Sequence, residues 1–525
     1  MTLTARLEKA IDSTEAGRRA TAFAASLRRR TVPTPWTDIF GIVTLACIAV
    51  LMVTGVALMF FYTPSSERIV YDGGFAPLHG VEMSRAFAST LGISVDVSGG
   101  LVLRQAHHWA ALLLPAAILA QLAVMFFTGA FRRPRQASWV LLFLILVATL
   151  AAGWSGYALP DDMLSGTGLR IVEGIVLGIP IVGTWIAALL FGGRFPGNII
   201  ENLYPIHLLV PVALIVLVAL RVRVAWRHGV PRYPDARQVA VLPVAAGRWG
   251  GFAAVVVGVV VVVSATVTVS PIWLYGPSDP GNASAGSQPD WYTGFLDGAL
   301  RLVPPGWEVE IGGYTLTLAV LVPLAVVGAF MTAMLAYPLL ENWVRGRSGS
   351  DLLGSSDWLD RPRNVPTRTA IGFAGMSFYA VLWGAASADL IATSFRLSLE
   401  SVVVAFQVLL LVGPPIAFSV ARRVCLGLQQ KDHDLLEHGV ETGRIVRMPG
   451  GRYVEIHAPL PAEARRRLEA VRPDRPIKLR PDAHGRITLR ARLRSLLSRM
   501  LFPADEVPPA AAVAESPDGE RNIAA

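Results

Sequence analysis

Long apolar runs constrain the fold of this chain more than any other feature of its sequence. A helix needs about 20 apolar residues to cross a bilayer. Eight runs of about that length lie at roughly 39–62, 104–128, 138–159, 205–227, 250–272, 314–337, 369–391 and 401–425. The stretch at 251–268 is rich in β-branched residues, but in lipid only a helix satisfies its own backbone. The sequence therefore predicts an all-α polytopic membrane protein with eight transmembrane helices.

The composition agrees with this fold class and excludes others. Of the 525 residues, 53% are hydrophobic and 16% are charged, whereas soluble domains carry about 25% charged residues. A soluble globular enzyme, a disordered chain and, with only 2 cysteines, a disulfide-rich scaffold are therefore excluded. The net charge of +9 is better explained by basic loops beside a membrane than by a nucleic-acid partner.

Basic residues are unevenly distributed between the loops. With the N-terminus inside and the tail after residue 425 left out of the count, the segments hold 21 Lys and Arg residues on the inner side and 7 on the outer side. Because cytoplasmic loops carry the excess of basic residues, we expect a multi-pass protein of the cell membrane with both termini in the cytoplasm. The outer loop at 160–204 contains two apolar stretches, near 169–179 and 181–191, that are too short to span. They predict a helical hairpin on the outer surface, between helices three and four.

Three histidines lie inside the apolar runs, at His107, His108 and His207. An imidazole in hydrocarbon is costly without a partner, so each either binds a metal or makes a hydrogen bond between helices, and the residues alone leave both open. His107 and His207 lie near the start of runs that both begin on the outer side. Two imidazoles at one depth suit the iron of a low-spin haem. His108 points about 100° away from His107, and we expect it to pack or to make a hydrogen bond.

Several motifs follow one another along the chain in an order that is characteristic of a known protein family. They are GGLVLRQAHHWAALLLPAAILAQLAVMFFTGAFRRPR (99–135), GYALPDDMLSGTG (156–168), GIPIVGTW (178–185), AGSQPDWY (285–292) and LLEHGVETGRIVRMPGGRYVEIHAPL (435–460). Together they resemble the cytochrome b subunit of the actinobacterial menaquinol:cytochrome c reductase, a relative of the mitochondrial cytochrome bc complex. The resemblance covers roughly residues 35–460.

The resemblance implies two haems b inside a bundle of the first four helices. Gly41, Gly55 and Gly156 match the glycines that face haem in this family, although small residues also serve ordinary helix packing. The implied partners are a Rieske iron–sulfur protein, a cytochrome c subunit, menaquinol and membrane lipid, with no nucleic acid. A dimeric complex is expected.

The resemblance also implies a quinol-oxidation site on the outer face. The family's Pro-Glu-Trp-Tyr motif corresponds here to Pro289, Asp290, Trp291 and Tyr292, and Gly168 matches a glycine that lines the site. A carboxylate can take a proton from the quinol as electrons leave, so Asp290 is the implied proton acceptor and Tyr292 a positioning group. Without the family, the same motif is typical of a turn with interfacial aromatic residues.

The chain departs from the family at the inner haem. Family members carry a second histidine 14 or 15 residues after the first on helices two and four, about 21 Å further along the helix. Here these positions hold Gln121 and Arg221. Glutamine is a weak neutral donor, and a protonated arginine has no lone pair to donate. We therefore expect one haem b, bound by His107 and His207, where the family has two.

These features divide the chain into four parts. They are a cytoplasmic segment at 1–38, the haem-binding bundle at 39–227, a membrane region with the quinol-site loop at 228–425, and a cytoplasmic tail at 426–525 whose end has the composition of disorder. The favoured hypothesis is the quinol-oxidising subunit of a menaquinol:cytochrome c reductase, an enzyme of the translocase class whose proton coupling is in question without the second haem. The alternative is a catalytically impaired paralogue that acts as a structural or assembly partner. A transporter is disfavoured because the sequence has no inverted repeat.

Overall fold

The computed structural model describes residues 14–229, 239–281, 288, 290–345, 359–469, 476–479 and 487–503. The described part is mainly helical, and its α-helices in chain order are α1 Glu15–Arg29, α2 Asp38–Met59, α3 Arg85–Val95, α4 Gly100–Thr128, α5 Gln136–Ala158, α6 Met163–Leu177, α7 Gly183–Phe191, α8 Ile199–His228, α9 Leu242–Thr266, α10 Ile272–Tyr275, α11 Gly294–Arg301, α12 Leu318–Arg345, α13 Pro366–Ala385, α14 Ala388–Phe395, α15 Leu399–His438, α16 Ala462–Glu469 and α17 Leu489–Leu501.

Short antiparallel pairs of strands lie in the segments that connect the helices. The pairs are β1 Thr31–Pro33 with β4 Val239–Val241, β2 Arg68–Val70 with β3 Glu82–Ser84, β5 Glu308–Ile311 with β6 Tyr314–Thr317, and β7 Val440–Arg447 with β8 Tyr453–Ala458. The first pair joins the segment before α2 to the segment before α9, with Thr31 opposite Val241. The last pair forms part of the tail. The end of the tail, 504–525, for which disorder was predicted, lies outside the described residues.

Seven helices of the described part are long and apolar enough to cross a membrane, namely α2, α4, α5, α8, α9, α12 and α15. The pair α13 and α14, bent by 61°, brings the number to eight if the two helices form one span. The predicted all-helical membrane fold is therefore confirmed, with seven or eight spans in the described part. The β-branched run is helical, as expected, and Val255, Val259 and Val262 lie on one exposed side of α9. Such a side suits contact with lipid.

The first four spanning helices form the predicted bundle. α2 packs against α4, and α5 packs against α8, while α4 and α5 contact each other. The shared core contains fully buried apolar side chains, among them Cys47, Ala110, Ile118 and Leu142. α9 packs on the outside of α2 and α4. We call the end of this bundle that holds His107 and His207 the histidine end.

The hairpin predicted in the 160–204 loop is present as α6 and α7. Asp162 caps α6, because its side chain accepts a hydrogen bond from the Ser165 N–H while its own N–H donates to the Ser165 hydroxyl. Leu169 of α6 and Phe191 of α7 are buried in a small core with the beginning of α8. The hairpin therefore covers the histidine end of the bundle.

Two helices differ from the expected spans. The span predicted at 369–391 is divided between α13 and α14, where Asp389 accepts hydrogen bonds from Gln288 at 3.0 Å and lies 3.0 Å from Arg301. These polar contacts turn α14 toward the loop that precedes α11. The last span was expected to end near residue 425, but α15 continues to His438.

Candidate functional site

His107 on α4 and His207 on α8 face each other across the bundle. Their ring centroids are 6.3 Å apart and the ring planes are inclined by 67°. A bond of about 2 Å between a metal and each imidazole nitrogen accounts for much of this separation, and the half-widths of the two rings account for the rest. The spacing therefore suits a single metal ion between the rings.

The other nitrogen of each ring is already engaged. The Nδ1 of His107 lies 2.9 Å from the Thr54 hydroxyl. The Nδ1 of His207 donates to the Ala152 carbonyl oxygen at 3.0 Å and lies 3.2 Å from the Ser155 hydroxyl. Metal-binding histidines usually have their second nitrogen held in this way. The Nε2 atoms are thus the ones available to a metal.

Glycines lie beside both rings. A Cβ atom at Gly55 would lie 3.2 Å from the Cε1 of His107, and one at Gly156 would lie 2.5 Å from the Cε1 of His207. Both positions were predicted to face haem. The third predicted glycine, Gly41, lies instead beside Gln121, whose Nε2 would be 3.1 Å from a Cβ there. Gly41 therefore belongs to the opposite level of the bundle.

A cavity of about 440 Å³ joins the two histidines to the loop after α10. Its walls are mostly apolar side chains and glycines from α2, α4, α5 and α8. Asp290 and Tyr292 line the same cavity. Two axial imidazoles, glycine faces and apolar walls fit a haem b, and the carboxylate of Asp290 lies at the edge of the same space.

Both carboxylate oxygens of Asp290 accept hydrogen bonds. The Tyr292 hydroxyl donates to Oδ2 at 2.9 Å, and the Nε2 of His108 lies 3.2 Å from Oδ1. The side chains of His108 and Asp290 are only 17% and 14% exposed. Burial, together with the charge of Asp290, raises the pKa of Tyr292 well above its usual value. The Tyr292 phenol therefore stays protonated and remains a donor.

Trp291 and Gly168, which were also predicted for the quinol site, each make contacts of their own. The indole N–H of Trp291 donates to the Leu112 carbonyl oxygen at 3.2 Å, which attaches the loop to α4. A Cβ atom at Gly168 would lie 3.5 Å from the ring of Tyr157, a residue that lines the cavity. Pro289 lies outside the described residues.

At the level of the bundle away from the histidine end, the side chains differ in chemistry from the two histidines. Within the described ranges, the Oε1 of Gln121 and the Nε of Arg221 are buried without a hydrogen-bond partner. Neither side chain is a normal iron ligand. The residues at this level therefore do not fit a second haem with two axial ligands.

Three contacts of this site were not predicted from the sequence. Thr54 and Ser155 were not identified, nor was Asp290 as the partner of His108. A usable signal was present, since a hydroxyl residue immediately precedes each glycine beside a histidine ring, as Thr54-Gly55 and as Ser155-Gly156. The contact between His108 and Asp290 joins residues far apart in the chain and has no such local signal.

Comparisons with known proteins show which family the chain resembles. The family model described as cytochrome b(N-terminal)/b6/petB matches residues 112–277. The chain is 40% identical over 508 residues to the cytochrome bc1 complex cytochrome b subunit of Streptomyces coelicolor, covering 94% of this chain and 92% of that one. It is 43% identical over 450 residues to the corresponding subunit of Mycobacterium tuberculosis, with coverages of 83% and 81%. A solved chain described as hyperthermophilic respiratory Complex III has the same fold, with a TM-score of 0.55 at 18% identity, over 78% of this chain and 99% of that one.

Proposed function

The chain belongs to the cytochrome b family, as the cytochrome b subunit of a bc1-type respiratory complex, and we propose that it oxidises menaquinol beside Asp290. His107 and His207 would hold the haem b that accepts one of the two electrons, and a Rieske iron–sulfur partner would accept the other. The observation that carries this proposal is the single cavity lined by both histidines and by Asp290. A cytochrome c subunit, a dimeric complex and cytoplasmic termini complete the proposal.

The chain's own residues prepare the haem site. When bound, haem b accepts and passes on single electrons. His107 and His207 offer their Nε2 atoms to its iron, because Thr54 and the Ala152 carbonyl oxygen engage the Nδ1 atoms. These second contacts fix the orientation of each ring.

Oxidation of the quinol to the quinone releases two electrons and two protons. Asp290 accepts one of the protons, and the other leaves with the electron that passes to the iron–sulfur partner. Each oxygen of a carboxylate can accept two hydrogen bonds, and each Asp290 oxygen receives one from the protein. A free lone pair therefore remains for a quinol hydroxyl. Tyr292 holds the carboxylate at the edge of the cavity but does not compete for the proton, since its own phenol stays protonated.

The test is the reduction of haem b by menaquinol in the purified complex, followed by the absorbance of the haem. We expect menaquinol to reduce the haem that dithionite also reduces. A haem b that dithionite reduces and menaquinol does not would instead favour the structural or assembly paralogue. An excess of oxidised quinone serves as the control for non-specific reduction.

We further propose that the chain binds one haem b. The support is the pair Gln121 and Arg221, which occupy the level where the family has its second pair of ligands and have buried polar atoms without partners among the described residues. A pyridine haemochrome assay should give one haem b per chain. The double variant Gln121→His with Arg221→His should raise this number to two. A value of two in the unaltered chain would contradict the proposal.

A further inference from the structure

His108 follows the proposed haem ligand His107 in the chain, yet its side chain contacts Asp290, the proposed proton acceptor. Successive helical residues point about 100° apart, so His107 faces His207 across the bundle while His108 reaches the loop after α10, although both residues line the same cavity. The Nε2 of His108 lies 3.2 Å from Oδ1 of Asp290. Because a carboxylate is only an acceptor, this nitrogen carries the hydrogen and donates it.

The contact is sheltered from water. The side chains of His108 and Asp290 are 17% and 14% exposed, and hydrogen bonds to an ionised group are stronger where water is excluded. One turn further along α4, the Leu112 carbonyl oxygen accepts a hydrogen bond from Trp291 at 3.2 Å. Two consecutive residues of the loop are therefore attached to one face of α4.

The second oxygen of Asp290 is held from the opposite direction. Tyr292 donates to Oδ2 at 2.9 Å, and its ring lies against Gly153 of α5, where a Cβ atom would be 2.6 Å from the phenol oxygen. The carboxylate is thus fixed by one donor on each oxygen. Only the bond from His108 links it directly to the helix that carries His107.

We propose that His108 is a positioning residue that sets the place of the Asp290 carboxylate relative to the haem ligand. The inference rests on the proposed oxidation of quinol beside Asp290. An electron and a proton leave the same quinol for two acceptors. Since His107 and His108 are consecutive residues of one rigid helix, the backbone of α4 keeps these acceptors at a constant separation.

The test compares two substitutions at this position in the intact complex. His108→Leu removes the donor and keeps an apolar side chain, whereas His108→Gln keeps an N–H that can reach the carboxylate. We expect His108→Leu to slow haem b reduction by menaquinol by about tenfold to a hundredfold, the effect of misplacing a reacting group. The KM should change much less, because Trp291 still attaches the loop. His108→Gln should recover most of the rate.

A spectroscopic readout separates positioning from a general loss of structure. The carboxylate band that disappears from the infrared difference spectrum in Asp290→Asn should shift in His108→Leu and return toward its original position in His108→Gln. The haem content and the haem spectrum should stay unchanged in both. Trp109→Phe is the matched control, since it removes the neighbouring hydrogen bond to the Val267 carbonyl oxygen and should leave the rate and the band unchanged.

The inference and the proposed function can fail separately. A rate and an infrared band in His108→Leu equal to those of the unaltered protein would overturn the role of His108 while the proposed function stands. Equal losses in His108→Leu and His108→Gln would overturn it as well. If menaquinol does not reduce the haem of the unaltered protein, the proposed function fails, and the infrared comparison still decides whether His108 holds the carboxylate.

Discussion

Each of the two proposed haem ligands makes a hydrogen bond with one of its ring nitrogens, and this bond determines which other atom is available for binding. His107 and His207 present Nε2 to the cavity because Thr54 and the Ala152 carbonyl oxygen engage their Nδ1 atoms. The sequence predicted the two histidines, since an imidazole in an apolar run is rare and costly. The partners that orient them were not predicted, because Thr54 is 53 residues from His107 and a threonine in a membrane helix has many other uses. The local signal for them was the hydroxyl residue that immediately precedes Gly55 and Gly156.

Among single residues, Asp290 is the one whose substitution is expected to lower the activity most. Asp290→Asn preserves the shape of the side chain but removes the basic carboxylate. We expect the rate of haem b reduction by menaquinol to fall roughly 10²-fold, the size of a general-base contribution. Stopped-flow absorbance measures this rate. Asp290→Glu is the matched control, since it keeps the carboxylate and should retain most of the activity, and an unchanged rate in Asp290→Asn would exclude Asp290 as the proton acceptor.

At the scale of elements, the helices could be predicted from the length and hydropathy of each apolar run. Their contacts with one another could not, because these contacts join residues far apart in the chain. Eight spans follow from the length and hydropathy of each run, which are local. Beside the bend between α13 and α14, Asp389 contacts Gln288 and Arg301, residues far away in the chain. Likewise, the glycine pattern predicted haem-facing positions, but only the packing of α2 on α4 shows that Gly41 lies beside Gln121 and Gly55 beside His107.

The contact between α5 and α8 yields a prediction about haem affinity. Alanine favours a helix over glycine by up to about 1 kcal/mol, but a Cβ at Gly156 would lie 2.5 Å from the His207 ring. Such overpacking costs about 1–3 kcal/mol, so Gly156→Ala should lower haem affinity by roughly tenfold or more. Haem titration after partial extraction measures the change. Gly174→Ala on α6 is the control, because a Cβ atom there would have no atom from beyond its own turn of helix within 4 Å among the described residues. Equal affinities in the two variants would contradict the prediction.

At the scale of the whole molecule, the bundle and the C-terminal membrane region are joined at both ends. At the histidine end, Gln105 of α4 exchanges two hydrogen bonds with the Val269 backbone, at 2.9 and 2.8 Å. At the opposite end, Glu341 of α12 is buried beside Arg368 of α13, at 3.1 Å, and Arg132 of the loop after α4, at 3.5 Å. This ion cluster connects three segments that belong to two of the parts into which the sequence was divided, 39–227 and 228–425.

The ion cluster predicts a stability change without a direct change in the site. Removing one partner of a buried ion pair costs about 3–5 kcal/mol, because the remaining charges lose their compensation. Glu341→Gln should therefore lower the free energy of unfolding in detergent by about that amount and leave the absorption spectrum of bound haem unchanged at low temperature. Thermal unfolding measures the loss. Glu310→Gln on the exposed strand β5 is the matched control, and equal melting temperatures for both variants would exclude a stabilising role of the cluster.

The depth of the histidine end also has an electrical consequence. His107 and His207 both lie within the first third of their helices, and Asp290 lines the same cavity. Moving one charge across a whole membrane at 100 mV involves about 2.3 kcal/mol, but a charge that moves between groups at one depth crosses almost none of the field. With the one haem proposed above, an electron that passes from a quinol in this cavity to that haem would cross little of the membrane field. The membrane potential would then have little influence on reduction of the haem, and a voltage dependence of turnover would arise from protons or from the partner subunits.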